Sequence, residues 1–202
     1  YLENLWYLTI YNLACTSRGE FPVKFNGGLW LWQEDARGWE GHYWHLNTQE
    51  TYWPLYAANQ LDLLEPYYKM YWDMLPVTKE MAAKYHNVQQ GAWYGETLNR
   101  WGYPDHLPPK DMGYMLSPGV QMGFYFWWYY LYTGDEDFLR TRAYPVLKEC
   151  VDFYLGYMKK DEAGIYYIYP SAAYETPREP PFFKNPVVDV ANVKVGCRVL
   201  LE

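Results

Sequence analysis

Two consecutive segments with different apolar patterns place the strongest constraint on the fold. Residues 120–131 are apolar or aromatic at nearly every position, and Ser117 and Pro118 before them suit a helix N-cap and first turn. A helix that is apolar on every side has to be surrounded by protein. These residues therefore predict a buried inner helix.

The segment that follows has a single apolar face. Pro145 suits a first helical turn, and apolar residues then recur at intervals of three or four positions, with charged residues between them. This pattern predicts an outer helix with one face in solvent. The predicted apolar stripe consists of Val146, Leu147, Cys150, Val151, Tyr154, Leu155 and Met158.

The same order occurs earlier in the chain. Residues 48–60 predict a mainly buried helix, and a long amphipathic helix follows from Leu63 toward His86. A ring of inner and outer helices requires this alternation, whereas a plain bundle would give every helix one stripe. The sequence therefore predicts an all-α fold, a partial (α/α)6 toroid that forms one domain over residues 1–202. Because both ends run through apolar patterns, we expect the domain to be incomplete.

Three long connections join the predicted helices. They are residues 18–45, 87–116 and 161–187, and they are rich in glycine, proline and aromatic residues. Connections of this length usually carry function. The last one contains a predicted β-hairpin, with a strand over residues 164–169 and a polar turn after Pro170. In a helical toroid all three would lie at one end of the ring, which we expect to be the active-site face.

Aromatic residues make up 21% of the chain, with 11 Trp, 24 Tyr and 8 Phe. Flat rings with polar edges suit the walls of a cleft that binds sugars. Such rings also pack the cores of large helical proteins, so composition leaves both uses open.

Several functional classes find no support in the sequence. A net charge of −7 without a Lys/Arg cluster argues against nucleic acid, and the apolar run 120–131 is too short and too rich in Tyr to cross a membrane. Phosphate-binding and dinucleotide-binding motifs are absent, so no cofactor is predicted. His42 and His45 lack a third spaced ligand, so no metal site is predicted. Three widely spaced cysteines among apolar residues predict buried free thiols, and nothing indicates an oligomeric state.

Carboxylates and aromatic residues remain, which are the groups used in glycoside hydrolysis. The stretch Asn26–Trp30 and then Tyr43–Pro54 resembles the signature of glycoside hydrolase family 95, which contains α-L-fucosidases and α-L-galactosidases. In that family a Gly-x-Trp loop leads into Asn-x-Asn-x-Gln-x-x-Tyr-Trp-Pro. The resemblance covers nearly the whole chain in order and implies an (α/α)6 barrel, an inverting mechanism and an oligosaccharide or polysaccharide substrate. Further matches are the loop 91–101, the turn 132–135, residues 144–148 and Pro170–Ser171.

The resemblance implies catalytic roles for three residues. Glu175 falls at the general acid of the family, and its tyrosine-rich surroundings would favour the protonated carboxyl; the alternative is an exposed loop carboxylate. Asn47 matches an Asn that orients the attacking water, and it could also cap the following helix. His45 replaces the first Asn of the pair, and Tyr174 replaces a Pro. No position matches the catalytic base, which we expect beyond residue 202.

Seven further residues are predicted to bind substrate. The tryptophans would stack on sugar rings, although each could instead pack in the core. Glu96 is a second candidate carboxylate, with a salt bridge to Arg100 at helical spacing as its alternative. Asp189 would either contact sugar hydroxyls or cap the last helix. The predicted set is Trp30, Trp44, Gln49, Glu96, Asn99, Trp101 and Asp189.

These observations predict an inverting glycoside hydrolase. The alternatives are a glycoside phosphorylase or polysaccharide lyase on the same toroid, and a carbohydrate-binding protein without catalysis. Because the expected substrate is a plant or host saccharide, we expect an extracellular or periplasmic location.

Overall fold

The structure is a computed structural model that describes residues 1–25, 29, 41–173 and 182–202. It is mainly helical, with two small antiparallel strand pairs. The helices are α1 (Leu2–Thr16), α2 (His45–Ala57), α3 (Glu65–Asp73), α4 (Leu75–His86), α5 (Pro118–Thr133), α6 (Glu136–Phe138), α7 (Tyr144–Tyr157) and α8 (Val187–Leu201). The strands are β1 (Tyr43–Trp44), β2 (Thr97–Leu98), β3 (Lys159–Lys160) and β4 (Tyr166–Tyr167). The chain also contains short 3-10 turns at Leu61–Leu64 and Asp111–Tyr114 and a π-helical segment at Leu139–Ala143.

Helices α5 and α7 form the central hairpin, as predicted. Helix α8 packs against both of them, and α2 packs against α5. Gly123 makes the close approach of α5 and α7 possible, because a Cβ there would lie 2.9 Å from Leu147 Cδ1 and 3.2 Å from Leu147 Cα. The pair β3 and β4 forms a small hairpin, with Lys159 opposite Tyr167. Its strand β4 lies within the predicted strand, but the turn precedes β4, whereas the prediction placed it after Pro170.

The burial of α5 differs from the prediction. Its first half is buried, but Trp128, Leu131 and Tyr132 in its second half are exposed. The described neighbours of α5 bury its first half and leave part of its second half exposed. The apolar pattern of the sequence continues through both halves, so it could not predict where the burial ends. On α7, Leu155 of the predicted stripe is exposed, while Phe153 is buried against the rings of His86 and Tyr157.

The earlier pair of helices also departs from the prediction. Helix α2 is buried along one stripe only, and Trp53 on its other side is exposed. The long outer helix is divided at Met74 into α3 and α4. Pro76 explains the division, because its ring removes one backbone donor and clashes with the preceding helical turn.

Helix α1 leaves most of its apolar residues exposed, and Leu13 is its buried residue. Cys15 on the same helix is exposed and Cys197 is half-buried, so the prediction of buried thiols is correct only for Cys150. No helix among the described residues is long and apolar enough to cross a membrane.

Much of the aromatic content belongs to the core. The hydroxyls of Tyr56 and Tyr68 both donate to the carbonyl of Tyr125, at 3.1 and 3.0 Å, which joins α2, α3 and α5. Tyr94 donates to the carbonyl of Tyr71 at 2.9 Å. These three tyrosines fit this interior because each hydroxyl finds a backbone acceptor there.

His86 lies among four aromatic rings at the end of α4, and neither ring nitrogen has a hydrogen-bond partner among the described residues. Burial lowers its pKa from 6.5 to about 4. Between pH 6.5 and pH 4 the imidazole is protonated more readily in the unfolded chain than in the folded one. The contribution of the neutral His86 to the unfolding free energy is therefore fully present above pH 6.5 and is lost as the pH falls toward 4.

We expect His86→Phe to weaken this acid dependence. Between pH 7 and pH 4 the original protein should lose roughly 2–3 kcal/mol more of its unfolding free energy than the variant. Urea denaturation at pH 7, 5.5 and 4 measures the difference. Equal losses for the two proteins would contradict the neutral, buried imidazole.

Candidate functional site

The site predicted from the sequence is built around the beginning of α2. Strand β1 precedes the helix directly and pairs with β2, with Tyr43 opposite Leu98 and Trp44 opposite Thr97. The backbone N–H of His45 continues this ladder by donating to the Glu96 carbonyl at 2.8 Å. The connection 87–116 is therefore held against the first turn of α2.

Glu96 is almost fully buried beside this turn. Its Oε1 accepts a hydrogen bond from the backbone N–H of Leu46 at 3.4 Å. The N-cap residue of α2, Trp44, makes no side-chain capping hydrogen bond, so the Glu96 carboxylate takes this role at the N-terminus of α2. A negative charge at a helix N-terminus is favourable, because the unpaired N–H groups there carry partial positive charge.

The alternative predicted for Glu96, a salt bridge to Arg100 at helical spacing, was wrong. Residues 97–98 form a strand, so Glu96 and Arg100 are not at helical spacing. The Arg100 guanidinium instead lies over the rings of Phe21 and Trp101, 5.0 and 4.3 Å from their centroids.

His45 is the first residue of α2 and is buried. Its Nε2 lies 3.1 Å from Oε1 of Gln121 on α5, and burial lowers its pKa to about 4, against the opposing effect of this hydrogen bond. Because an amide oxygen only accepts, Nε2 carries the proton and Nδ1 is left as an acceptor. A neutral imidazole thus offers one donor and one acceptor, which resembles the amide of the Asn expected at this position.

Gln121 is a site residue that the sequence reading missed. The available signal was its polarity, since it is the one residue other than tyrosine in the 120–131 run that carries a polar side chain. A polar residue on a helix that is otherwise apolar normally has a specific partner.

Thr48 and Gln49 extend the buried polar face of α2. Thr48 Oγ1 and Gln49 Oε1 are both buried, and neither has a hydrogen-bond partner in the part of the chain that the structure describes. Asn47, half-buried, is the third residue of α2, whose N-cap is Trp44, so the prediction that Asn47 caps the helix was wrong.

A small apolar group, the junction cluster, connects this turn to the segment that contains Glu175. Within it, the rings of Tyr114 and Phe182 are 4.7 Å apart, and the Ala172 N–H donates to the Tyr114 carbonyl at 3.0 Å. The described residues on both sides of 174–181, Ala172 and Phe182, therefore belong to the same cluster as Trp44. Glu175 itself is outside the described residues. The junction cluster consists of Trp44, Met112, Tyr114, Met115, Ala172 and Phe182.

The predicted substrate-binding residues have different surroundings. Asn99 Oδ1 accepts the backbone N–H groups of Trp101 and Tyr103, at 3.0 and 3.1 Å, so its oxygen shapes the turn that presents the exposed Trp101. Trp44 is half-buried and contacts the His106 ring edge-on. Trp30 is outside the described residues.

Asp189 is fully buried. It is the third residue of α8 after the N-cap Pro186, so the predicted capping role was wrong. The Tyr154 hydroxyl donates to its Oδ1 at 2.7 Å. In this structure the carboxyl has no accessible surface with which to contact a sugar.

The two histidines with metal-like spacing diverge. His42 Nε2 lies 3.8 Å from Asp105 Oδ1, whereas His45 contacts Gln121. Among residues 1–25, 29, 41–173 and 182–202, no three His, Cys, Asp or Glu side chains converge in a way that could hold a metal ion.

Comparisons with known proteins identify a family and two relatives. The model of the glycosyl hydrolase family 95 catalytic domain matches residues 3–194. Probable alpha-fucosidase A of Aspergillus niger is 27% identical over 170 residues, which are 80% of this chain and 21% of that protein. Alpha-L-fucosidase 2 of Arabidopsis thaliana is 25% identical over 177 residues, 86% of this chain and 21% of that protein. The chain thus spans about a fifth of the length of these curated relatives, and the match across residues 3–194 shows that it belongs to glycosyl hydrolase family 95.

Proposed function

We propose that this chain forms part of the catalytic domain of a glycoside hydrolase that cleaves an oligosaccharide or polysaccharide with inversion. One observation carries the proposal: the junction cluster contains residues from both flanks of the Glu175 segment together with Trp44, which directly precedes the polar first turn of α2. A proton donor and a group that orients water would then face the same glycosidic bond from opposite sides, as inversion requires. Helices α2, α5, α7 and α8 would belong to a six-hairpin toroid.

Each residue has a definite chemical task in this reaction. Glu175 gives its proton to the departing glycosidic oxygen, and Asn47 helps to orient the attacking water. His45, held neutral by burial and oriented by its hydrogen bond to Gln121, preserves the hydrogen-bonding capacity of an amide beside Asn47. We assign no residue of this chain to the carboxylate base.

The relatives' names point to α-L-fucosides as the first substrates to test. His45 is where we expect specificity to differ, because an imidazole is wider than the Asn side chain that the family pattern has there. Trp101 is exposed, and among the described tryptophans of the predicted set we expect it to stack on a sugar. An extracellular or periplasmic location would give such an enzyme access to its substrate.

The test is to follow the first product anomer. The full-length protein is incubated with aryl α-L-fucosides, α-L-galactosides and a panel of plant oligosaccharides, and proton NMR identifies the anomer before mutarotation. We expect the configuration opposite to that of the substrate. Retention would overturn the mechanism, turnover that depends on inorganic phosphate would indicate a phosphorylase, and binding without turnover would indicate a carbohydrate-binding protein.

A further inference from the structure

Arg100 is an exposed arginine whose guanidinium is held against two aromatic rings. Its Cζ lies 5.0 Å from the ring centroid of Phe21 and 4.3 Å from that of Trp101. An exposed arginine side chain normally samples many rotamers, and these two contacts restrict it. Because stacking uses the face of the planar guanidinium, the N–H groups at its edge stay available as donors.

The turn that carries this side chain has a defined backbone. The Asn99 N–H donates to the Tyr103 carbonyl at 3.0 Å, and Asn99 Oδ1 accepts the Trp101 N–H at 3.0 Å. Gly102, with a φ of +94°, lies against Met74, because a Cβ there would be 3.0 Å from the Met74 Cβ. The turn is therefore closed at its base and also rests on the junction between α3 and α4.

The turn continues the strand pair that leads into α2. Strand β2 runs directly into it, and Thr97 of β2 lies opposite Trp44, the residue that precedes α2. Arg100 is three residues beyond Thr97, which corresponds to roughly 10 Å along an extended chain. A saccharide of several units that occupies the first turn of α2 could therefore extend to this turn.

Arg100 has no carboxylate partner in the part of the chain that the structure describes. The acidic side chains nearest to it in the sequence have other contacts, because Asp105 lies 3.8 Å from His42 Nε2 and Glu96 lies at the start of α2. The chain has a net charge of −7, so this cation is not part of a generally basic protein. Its charge is available to a ligand.

Exposed aromatic surface lies beside this cation. Trp101 is 57% exposed and Tyr103 is 47% exposed, so Arg100 covers only part of the Trp101 indole. Such rings stack on the C–H faces of sugars, and the arginine fork binds two oxygens of a carboxylate or a sulfate group. A sugar that carries an anionic group would use both features at once.

We infer that the turn at residues 99–103 is a subsite for an anionic sugar unit: Arg100 pairs with a uronate carboxylate or a sulfate ester, and Trp101 stacks on the sugar ring. The inference rests on the proposed glycoside hydrolase function, because that function supplies the saccharide. It narrows the substrate class to saccharides with acidic units. In this role Arg100 determines specificity and takes no part in bond cleavage.

The first test measures binding by the full-length protein, using calorimetry. One set of probes is galactotriose, trigalacturonate and sulfated galactotriose, and a second set is xylotriose with and without a glucuronate branch. At least one acidic probe should bind about tenfold or more tightly than its neutral counterpart, as charge-assisted hydrogen bonds predict. Raising the salt concentration should reduce this advantage. Comparing trigalacturonate with sulfated galactotriose identifies which anion the subsite prefers.

The second test compares variants of the same full-length protein. Arg100→Gln should weaken binding of the acidic probe about tenfold or more and change binding of the neutral probe less than about twofold. Arg100→Lys keeps the charge but not the fork, so it should lose most of the advantage. Arg140→Gln is the matched control, because it removes the same charge from an exposed arginine that pairs with Asp137, and it should leave both affinities unchanged.

Three results would overturn the inference. They are equal affinities for acidic and neutral probes in both sets, an acidic advantage that persists in Arg100→Gln, and an equal loss for acidic and neutral probes in that variant. The last result would mean that Arg100 only supports the Trp101 ring. Full retention of the advantage in Arg100→Lys would refute recognition by the arginine fork.

The subsite and the hydrolase function fail in different ways. Turnover of saccharides without any preference for acidic probes would refute the subsite alone. An acidic preference that depends on Arg100, in a full-length protein that turns over no saccharide, would refute the hydrolase function and indicate a carbohydrate-binding protein.

Discussion

Replacing Glu175 with glutamine is expected to lower kcat on oligosaccharides by about 10²–10⁴-fold, the usual contribution of a general acid. Glutamine has nearly the same shape but no proton to give to the leaving oxygen. KM should change little, because the substrate contacts stay in place. Steady-state kinetics of the full-length protein, with saccharide binding measured by calorimetry, would show turnover lost and binding retained.

A substrate with a different leaving group distinguishes a residue that donates a proton from one that only binds the sugar. A glycosyl fluoride needs little protonation as it departs, so Glu175→Gln should hydrolyse it with a much smaller loss than it shows on oligosaccharides. Glu162→Gln is a suitable control, because Glu162 is exposed in the turn between β3 and β4. Equal losses on both substrates would contradict the role of acid.

Replacing Gly91 with alanine is expected to be the most damaging change to stability, at about 4 kcal/mol or more, which is enough to unfold many domains. Gly91 has a φ of +91°, and a Cβ there would lie 2.1 Å from Phe153 N and 2.6 Å from Glu149 O. These are backbone atoms of α7 and cannot turn aside. The loop is also tied there, because the Ala92 N–H donates to the Glu149 carbonyl at 2.9 Å.

Gly164→Ala distinguishes the two contributions to this loss of stability, the steric contact and the backbone conformation. Gly164 also has a positive φ, +79°, but a Cβ there would meet no atom within 4 Å. Its cost should be only the conformational one, about 1–2 kcal/mol. Thermal unfolding of both variants gives the comparison, and similar losses in the two would contradict the contact between Gly91 and α7. Because the Gly91 loop leads into Glu96, the same contact also places that carboxylate at α2.

The helices could be located from sequence because their signals are local. Pro118 and Pro145 mark helix starts, and the stripe of α7 recurs at helical spacing. Strand β4 was predicted from a short apolar run that follows a glycine, but its pairing with β3, across a turn that precedes it, was not. The roles assigned to Glu175, Asn47 and His45 came from motifs, and these assignments stay predictions that the experiments above can decide.

The partners of the site residues could not be found in the same way. His45 and Gln121 are 76 positions apart, and Tyr154 and Asp189 are 35 apart. Asn47 and Asp189 looked like helix caps because they stand near the start of an apolar pattern, yet α2 and α8 begin two or more residues earlier. Capping depends on where the first backbone hydrogen bond forms, and periodicity places that point only to within a few residues.

The sequence alone thus determined the helical class, the order of the helices and the family motif, because hydrophobic period, proline and glycine act over a few neighbouring residues. Tertiary structure decided which polar groups are buried together: the Glu96 carboxylate at the start of α2, the neutral His45 against Gln121, and the Asp189 carboxyl against the Tyr154 hydroxyl. Burial and partners depend on which distant segments pack together, and in this chain that packing brings polar residues that are far apart in the sequence into contact.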